Sequence, residues 1–156
     1  MNNPQHIAAT FARETLITFP SIQALVPMVG ITPAQYKVFW ESVPDFVEMP
    51  YIVIFHIAGG EENDTQVKAM DIQMKIVGFS GNMQTARDLQ NAIHGLHRIL
   101  PVSPTYAEAN PSGYEWVEPY ATVRQWLPIF DRDVVQQTPV YISGGIYRFR
   151  LIRQEV

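Results

Sequence analysis

The sequence predicts an α+β fold: a mostly antiparallel sheet of about four strands with helices packed on one face, in the order α-β-β-α-β-β. Three observations predict it. The run "YIVIFHIA" at residues 51–58 is apolar at nearly every position, as a central strand covered on both faces requires. In "MDIQMKI", Met70, Ile72, Met74 and Ile76 alternate with Asp71, Gln73 and Lys75, the period of a half-buried strand. The period then changes, because Ala86, Leu89, Ala92, Ile93, Leu96 and Leu100 recur at helical spacing and gather on one apolar face.

The chain opens with a helix over residues 5–16, where Ile7, Ala8, Phe11 and Ala12 form a stripe and Pro4 suits the first turn. "FPSIQALVP" offers Ser21 as an N-cap for a short helix ending before Pro27. Residues 27–50 read as an ordered connection with one helical turn at "TPAQYKVFW", too aromatic to be disordered. After the first strand, "AGGEEND" carries turn chemistry and leads into the second. Asn82 is the natural N-cap of the following helix, which should stop before Pro101. Gly95 inside it costs about 1 kcal/mol against alanine unless it admits a close neighbour.

Residues 101–113 form a loop rich in Pro, Ser, Asn and Gly. Two β-rich runs follow, "EWVEPYATVRQWLPIF" and "TPVYISGGIYRFRLIRQ", joined through "DRDVVQQ" as a hairpin. Pro119 and Pro128 point to bulges or an edge in the first. In the second, Tyr147, Phe149 and Leu151 alternate with Arg148 and Arg150. No repeat or linker divides the chain, so residues 1–156 read as one domain.

Bulk properties narrow the function classes. Charged residues make up 17%, against about 25% in ordinary domains, and charge depletion is a mark of buried partner interfaces. A net charge of −4 supplies no positive field for nucleic acid or an anionic membrane. The absence of cysteine removes disulfide and thiolate chemistry and fits a reducing cytoplasm. "MNNPQHIAATFARE" has neither a basic nor an apolar leader region, so no signal peptide is expected. The apolar run "MPYIVIF" is far shorter than the roughly 20 residues of a membrane helix.

No motif carries catalytic, metal or cofactor chemistry. A phosphate loop needs glycines that open a helix; here they lead into a strand, beside Glu61, Glu62 and Asp64, which repel phosphate. A calcium loop's spaced ligands are missing as well. His94 and His97 lie three apart, not at the four-residue spacing of helix-borne zinc ligands. On a helical wheel His94 falls on the polar face with Arg87, Asn91 and Arg98, and His56 has no visible partner. Asp131 and Asp133 flank Arg132 in a turn, a solvated arrangement. "IYRFRLIR" mixes rings with arginines, as single-strand binders do, but alternation puts them on opposite faces.

The middle of the chain resembles the tail-completion, or tail-terminator, proteins of long-tailed bacteriophages. In that family a short N-terminal helix precedes a phrase like "SIQALV", and a Pro-Tyr-Val-Val strand opens a hairpin. Its second strand then runs straight into a helix carrying Ala, Leu and Ile. Pro50, Tyr51, Ile52 and Val53, then Met70 to Gly78, then Ala86, Leu89 and Ile93 occupy those places. The match covers about residues 5–100; beyond it, only two further β-rich runs agree. The connection at 27–50 is longer and more aromatic than the family pattern, and Met74 and Phe79 replace its usual residues.

The resemblance implies a structural role in the virion, assembled in the host cytoplasm and without enzymatic activity. Such proteins form a ring of copies, generally a hexamer, on the head-proximal end of the tail tube. They stop tube polymerisation and meet the head–tail connector, while DNA passes through the lumen without specific binding. Exposure, not the family, singles out Glu61, Glu62, Asp64, Asp71, Gln73, Lys75, Arg148 and Arg150 as interface residues. A head-side connector or stopper ring, a small cellular ligand-binding α+β domain and a single-strand nucleic-acid binder remain the alternatives.

Overall fold

The computed structural model describes the backbone of residues 4–45, 47–61, 69–98, 114–116, 122–126, 130–132 and 139–153, and the side-chain surroundings of 5–45, 47–57, 71–96 and 139–150. The fold is α+β. Helices α1 (Pro4–Leu16) and α2 (Pro20–Leu25) precede strands β1 (Val38–Trp40), β2 (Tyr51–Glu61) and β3 (Ala69–Ser80). Helix α3 (Met83–Ile93) continues into a 3₁₀ turn (His94–Arg98), followed by β4 (Tyr114–Trp116), β5 (Thr122–Trp126), β6 (Phe130–Arg132) and β7 (Val140–Arg153).

Among the described residues the sheet has seven strands where about four were expected, in the order β1-β2-β3-β7-β4, with β5 and β6 also paired to β7. Two of the three additional strands come from the expected third strand, which is divided into β4, β5 and β6 along one edge of β7; the other is β1. All pairings are antiparallel except β1 with β2. The β2–β3 hairpin is present, with Glu61 opposite Met70; its tip, including Glu62 and Asp64, lies outside the described residues.

Two local expectations are corrected. Val38–Trp40 is a strand beside β2, not a helical turn: Val, Phe and Trp fit a pleated surface, and β2 supplies the partner. Helix α2 begins at Pro20 after Phe19, with no side-chain cap, so Ser21 is already inside it. Proline's fixed φ suits the first helical position. Asn82 caps α3 as expected, its Oδ1 accepting from the Thr85 N–H at 2.8 Å.

One face of the sheet carries the main core. Ile52 and Ile54 of β2, Ile72, Met74 and Ile76 of β3, and Tyr147 and Phe149 of β7 meet Ile7, Ala8, Phe11, Ala12 and Leu16 of α1 and Leu89 and Ile93 of α3. Phe11 and Phe149 pack edge to face, with centroids 6.1 Å apart. Each fully buried Ile or Leu contributes about 1.5–3 kcal/mol.

Two glycines set how closely these layers approach. A Cβ on Gly78 would lie 2.9 Å from Leu89 Cδ1, so α3 rests directly on β3. Gly144 is at φ +129, and a Cβ there would fall 2.0 Å from the Ile76 carbonyl oxygen. Backbone is in the way, and no rotamer can relieve it. Gly144→Ala is therefore expected to destabilise the fold by more than about 3 kcal/mol. Asn82→Ala should lose about 1 kcal/mol with its cap. Urea unfolding midpoints measure both, and an unshifted Gly144→Ala midpoint contradicts the close approach.

Candidate functional site

The register sorts the charged residues onto the face of the sheet away from the helices. Asp71 stands opposite Arg150, Gln73 opposite Arg148 and Lys75 opposite Ile146. Asp71 and Arg148 are diagonal neighbours on that face, and Arg148 Nε lies 2.8 Å from Asp71 Oδ2 with both side chains about one-quarter exposed. Five of the eight expected interface residues thus share one surface, and two of them join in an ion pair within the chain. Glu61 ends β2 on the same hairpin, whereas Glu62 and Asp64 lie outside the described residues.

Toward its other end the same face turns apolar. Val53, Val77 and Ile142 are buried there among Val43, Tyr51, Phe55, Phe79 and Val140. Tyr51 and Phe79 rings stand 5.3 Å apart across the β2–β3 pair. This second cluster is why β2 is apolar at consecutive positions: Ile52 and Ile54 serve the helix side and Val53 the opposite one.

The β2 edge is treated in two ways along its length. Strand β1 covers it only from Ile52 to Ile54. Glu41, at φ 65, then turns the chain away, donating one last N–H to the Ile54 carbonyl at 2.9 Å. The backbone of β1 is closed locally on its outer side, because Arg13 Nε donates to the Val38 carbonyl at 3.1 Å and Ser42 N to the Trp40 carbonyl at 2.8 Å. Beyond β1, a bulge between His56 and Ala58 sets Ile57 outward, 47% exposed. Among the described residues no strand covers this stretch.

A cleft of about 270 Å³ lies beside β1, lined by Pro27, Met28, Val29, Ile31 and Val47 with Lys37 and Glu48. Lys37 Nζ donates to the Glu48 carbonyl at 3.0 Å. Partial burial lowers the Lys37 pKa, and the Glu48 charge opposes that shift. The rest of the lining is aliphatic or the ring of Pro27. Among the described residues no group of His, Asp and Glu is placed to hold a metal ion, and no helix is long and apolar enough to cross a membrane.

His94 departs from its expected place. It is buried in the core, not set on the polar face, with Nδ1 and the Tyr147 hydroxyl 2.5 Å apart. At His94 α3 gives way to a 3₁₀ turn, and the Tyr147 hydroxyl on β7 supplies the partner that makes burial of the ring tolerable. Gly95 permits this, since a Cβ there would lie 2.8 Å from Phe19 Cε2. A helical wheel drawn through residue 100 hides such a break. His56 Nε2 is also buried, with no hydrogen-bond partner among the described residues.

No family profile matches the chain, and no curated protein matches it in sequence. Among solved structures it is similar to a chain of the virion of a native gene transfer agent particle, with a TM-score of 0.61 and 14% sequence identity over 92% of this chain and 93% of that one. At such identity the likeness is one of fold, and it spans nearly the whole of both chains.

Tyr147 and His94 provide the sharpest test of this core. Tyr147→Phe leaves His94 without its hydroxyl partner and should cost about 1–3 kcal/mol. Burial raises the Tyr147 pKa above its ordinary value. A raised folded-state pKa contributes stability that is present below the unfolded value of about 10 and is lost as pH rises beyond it. Wild-type stability should therefore fall above about pH 10, and more steeply than that of Tyr147→Phe. Denaturant titrations across that range give the comparison; equal slopes place the alkaline loss elsewhere.

Proposed function

We propose that this chain is a structural protein of a phage-type virion and, within that class, a tail terminator. In this role one α+β unit assembles with copies of itself, as a hexameric ring, on the head-proximal end of the tail tube. The ring ends polymerisation and offers the surface that the head–tail connector meets. The observation that carries the proposal is the fold shared with a chain of the gene transfer agent virion across more than nine-tenths of each chain. The order of motifs around Pro50–Val53, Met70–Gly78 and Ala86–Ile93 adds the tail-terminator family in particular.

The chemistry agrees with a structural part. Charged residues on the outer sheet face include an ion pair, Asp71 with Arg148, and the cleft beside β1 is lined mainly by aliphatic side chains. A net charge of −4 suits a lumen through which DNA slides, because phosphate binding requires basic groups.

Purified protein mixed with tail tubes of its own particle should place a ring on one end of each tube and halt elongation. Negative-stain images of tube ends and native mass spectrometry read this out. Bare tubes that keep growing, with rings found instead on DNA-filled heads, assign the chain to the head-side neck.

A further inference from the structure

We propose that the stretch of the β2 edge at residues 56–61, which no strand among the described residues covers, is where a second copy of this chain joins, by setting its β4 strand antiparallel to β2. The inference rests on the ring role proposed above and names its subunit contact. An unpaired strand edge is a template for another strand, and proteins ordinarily guard it. Here the guarding is selective. Along β1 the outer carbonyls accept from Arg13 and Ser42, while past Trp40 the described residues offer no equivalent cover.

The step where β1 stops is also apolar. Trp40, 38% exposed, and Ile57, 47% exposed, are two of the four large hydrophobic residues that the described surface displays. Glu41 holds a positive φ to turn the chain off the sheet at this point, a conformation that costs a non-glycine residue energy. A longer β1 would have covered Ile57.

Strand direction selects the occupant. β2, β3, β7 and β4 alternate in direction, each pair antiparallel, so the β2 edge and the β4 edge run oppositely. Copies placed side by side in the same orientation therefore continue the antiparallel pattern from β4 of one to β2 of the next. Such a contact is heterologous, the kind that closes into a ring. Charge does not decide the pairing: Glu61 ends β2, and on β7 Arg153 stands opposite Tyr114 of β4. Glu115 is the acid on β4 itself.

The test uses the absence of native cysteine. Single variants Ile57→Cys and Glu115→Cys are mixed, added to tail tubes and treated with a short bis-maleimide. Neighbouring strands lie about 4.8 Å apart, so a cross-linked dimer holding one of each variant is expected, well above the yield from either variant alone. In parallel, Ile57→Lys, a change at an exposed position, should weaken self-association at least tenfold with an unchanged thermal midpoint. Capped tubes with no mixed cross-link and normal Ile57→Lys assembly overturn the edge contact and leave the ring role standing. A mixed cross-link among free copies beside bare tubes keeps the contact and removes the capping role. Cross-linking of Ile57→Cys to the tube protein instead assigns the edge to that partner and overturns the second-copy contact.

Discussion

The approach of Gly144 to the Ile76 carbonyl holds β3 and β7 in one register, and the two faces of the sheet depend on that register. Only a residue without a Cβ, able to sit at φ +129, lets the strands close at this point. Pairing then runs along all of β3, from Ala69 opposite Ile152 to Ser80 opposite Tyr141. A slip of one residue would turn Tyr147 and Phe149 out of the core and Arg148 into it. The hydrogen bond from Gln90 Nε2 to the Gly144 carbonyl, 3.3 Å, ties α3 to the same point.

From that register follows a division of labour between the faces. The helix side is an apolar layer in which the Tyr147 hydroxyl meets His94; a buried polar pair of this kind must be satisfied to be tolerated. The outer side is divided along its length into an apolar end around Val53, Val77 and Ile142 and a charged end around Asp71 and Arg148. What the molecule displays is faces and edges, the features from which assemblies are built.

The two edges of the sheet differ for reasons that lie in the backbone. On one, β1 is short and ends beside a residue with positive φ, and no strand among the described residues pairs with the far half of β2 on that side. On the other, three short strands follow one another along β7, with a register shift between Val123 and Gln125 in the middle one. Interruptions and bulges of this kind limit indiscriminate edge pairing. An asymmetric pair of edges suits head-to-tail association better than a two-fold contact.

The sequence by itself determined the elements whose cause is local. Alternation placed Ile72, Met74 and Ile76 opposite Asp71, Gln73 and Lys75, and the α3 stripe and its Asn82 cap could be read directly. The α+β class followed from them. What depends on distant contacts was decided by the tertiary structure. Val38–Trp40 became a strand because β2 lies alongside, and His94 is buried where a 3₁₀ turn begins and the Tyr147 hydroxyl receives it. The Asp71–Arg148 pair needed the β3–β7 register before either charge had a neighbour. The point at which β1 stops covering β2 could not be seen in the sequence at all, since it depends on where another strand ends. Periodicity records which side of an element is apolar, and only packing decides what lies against it.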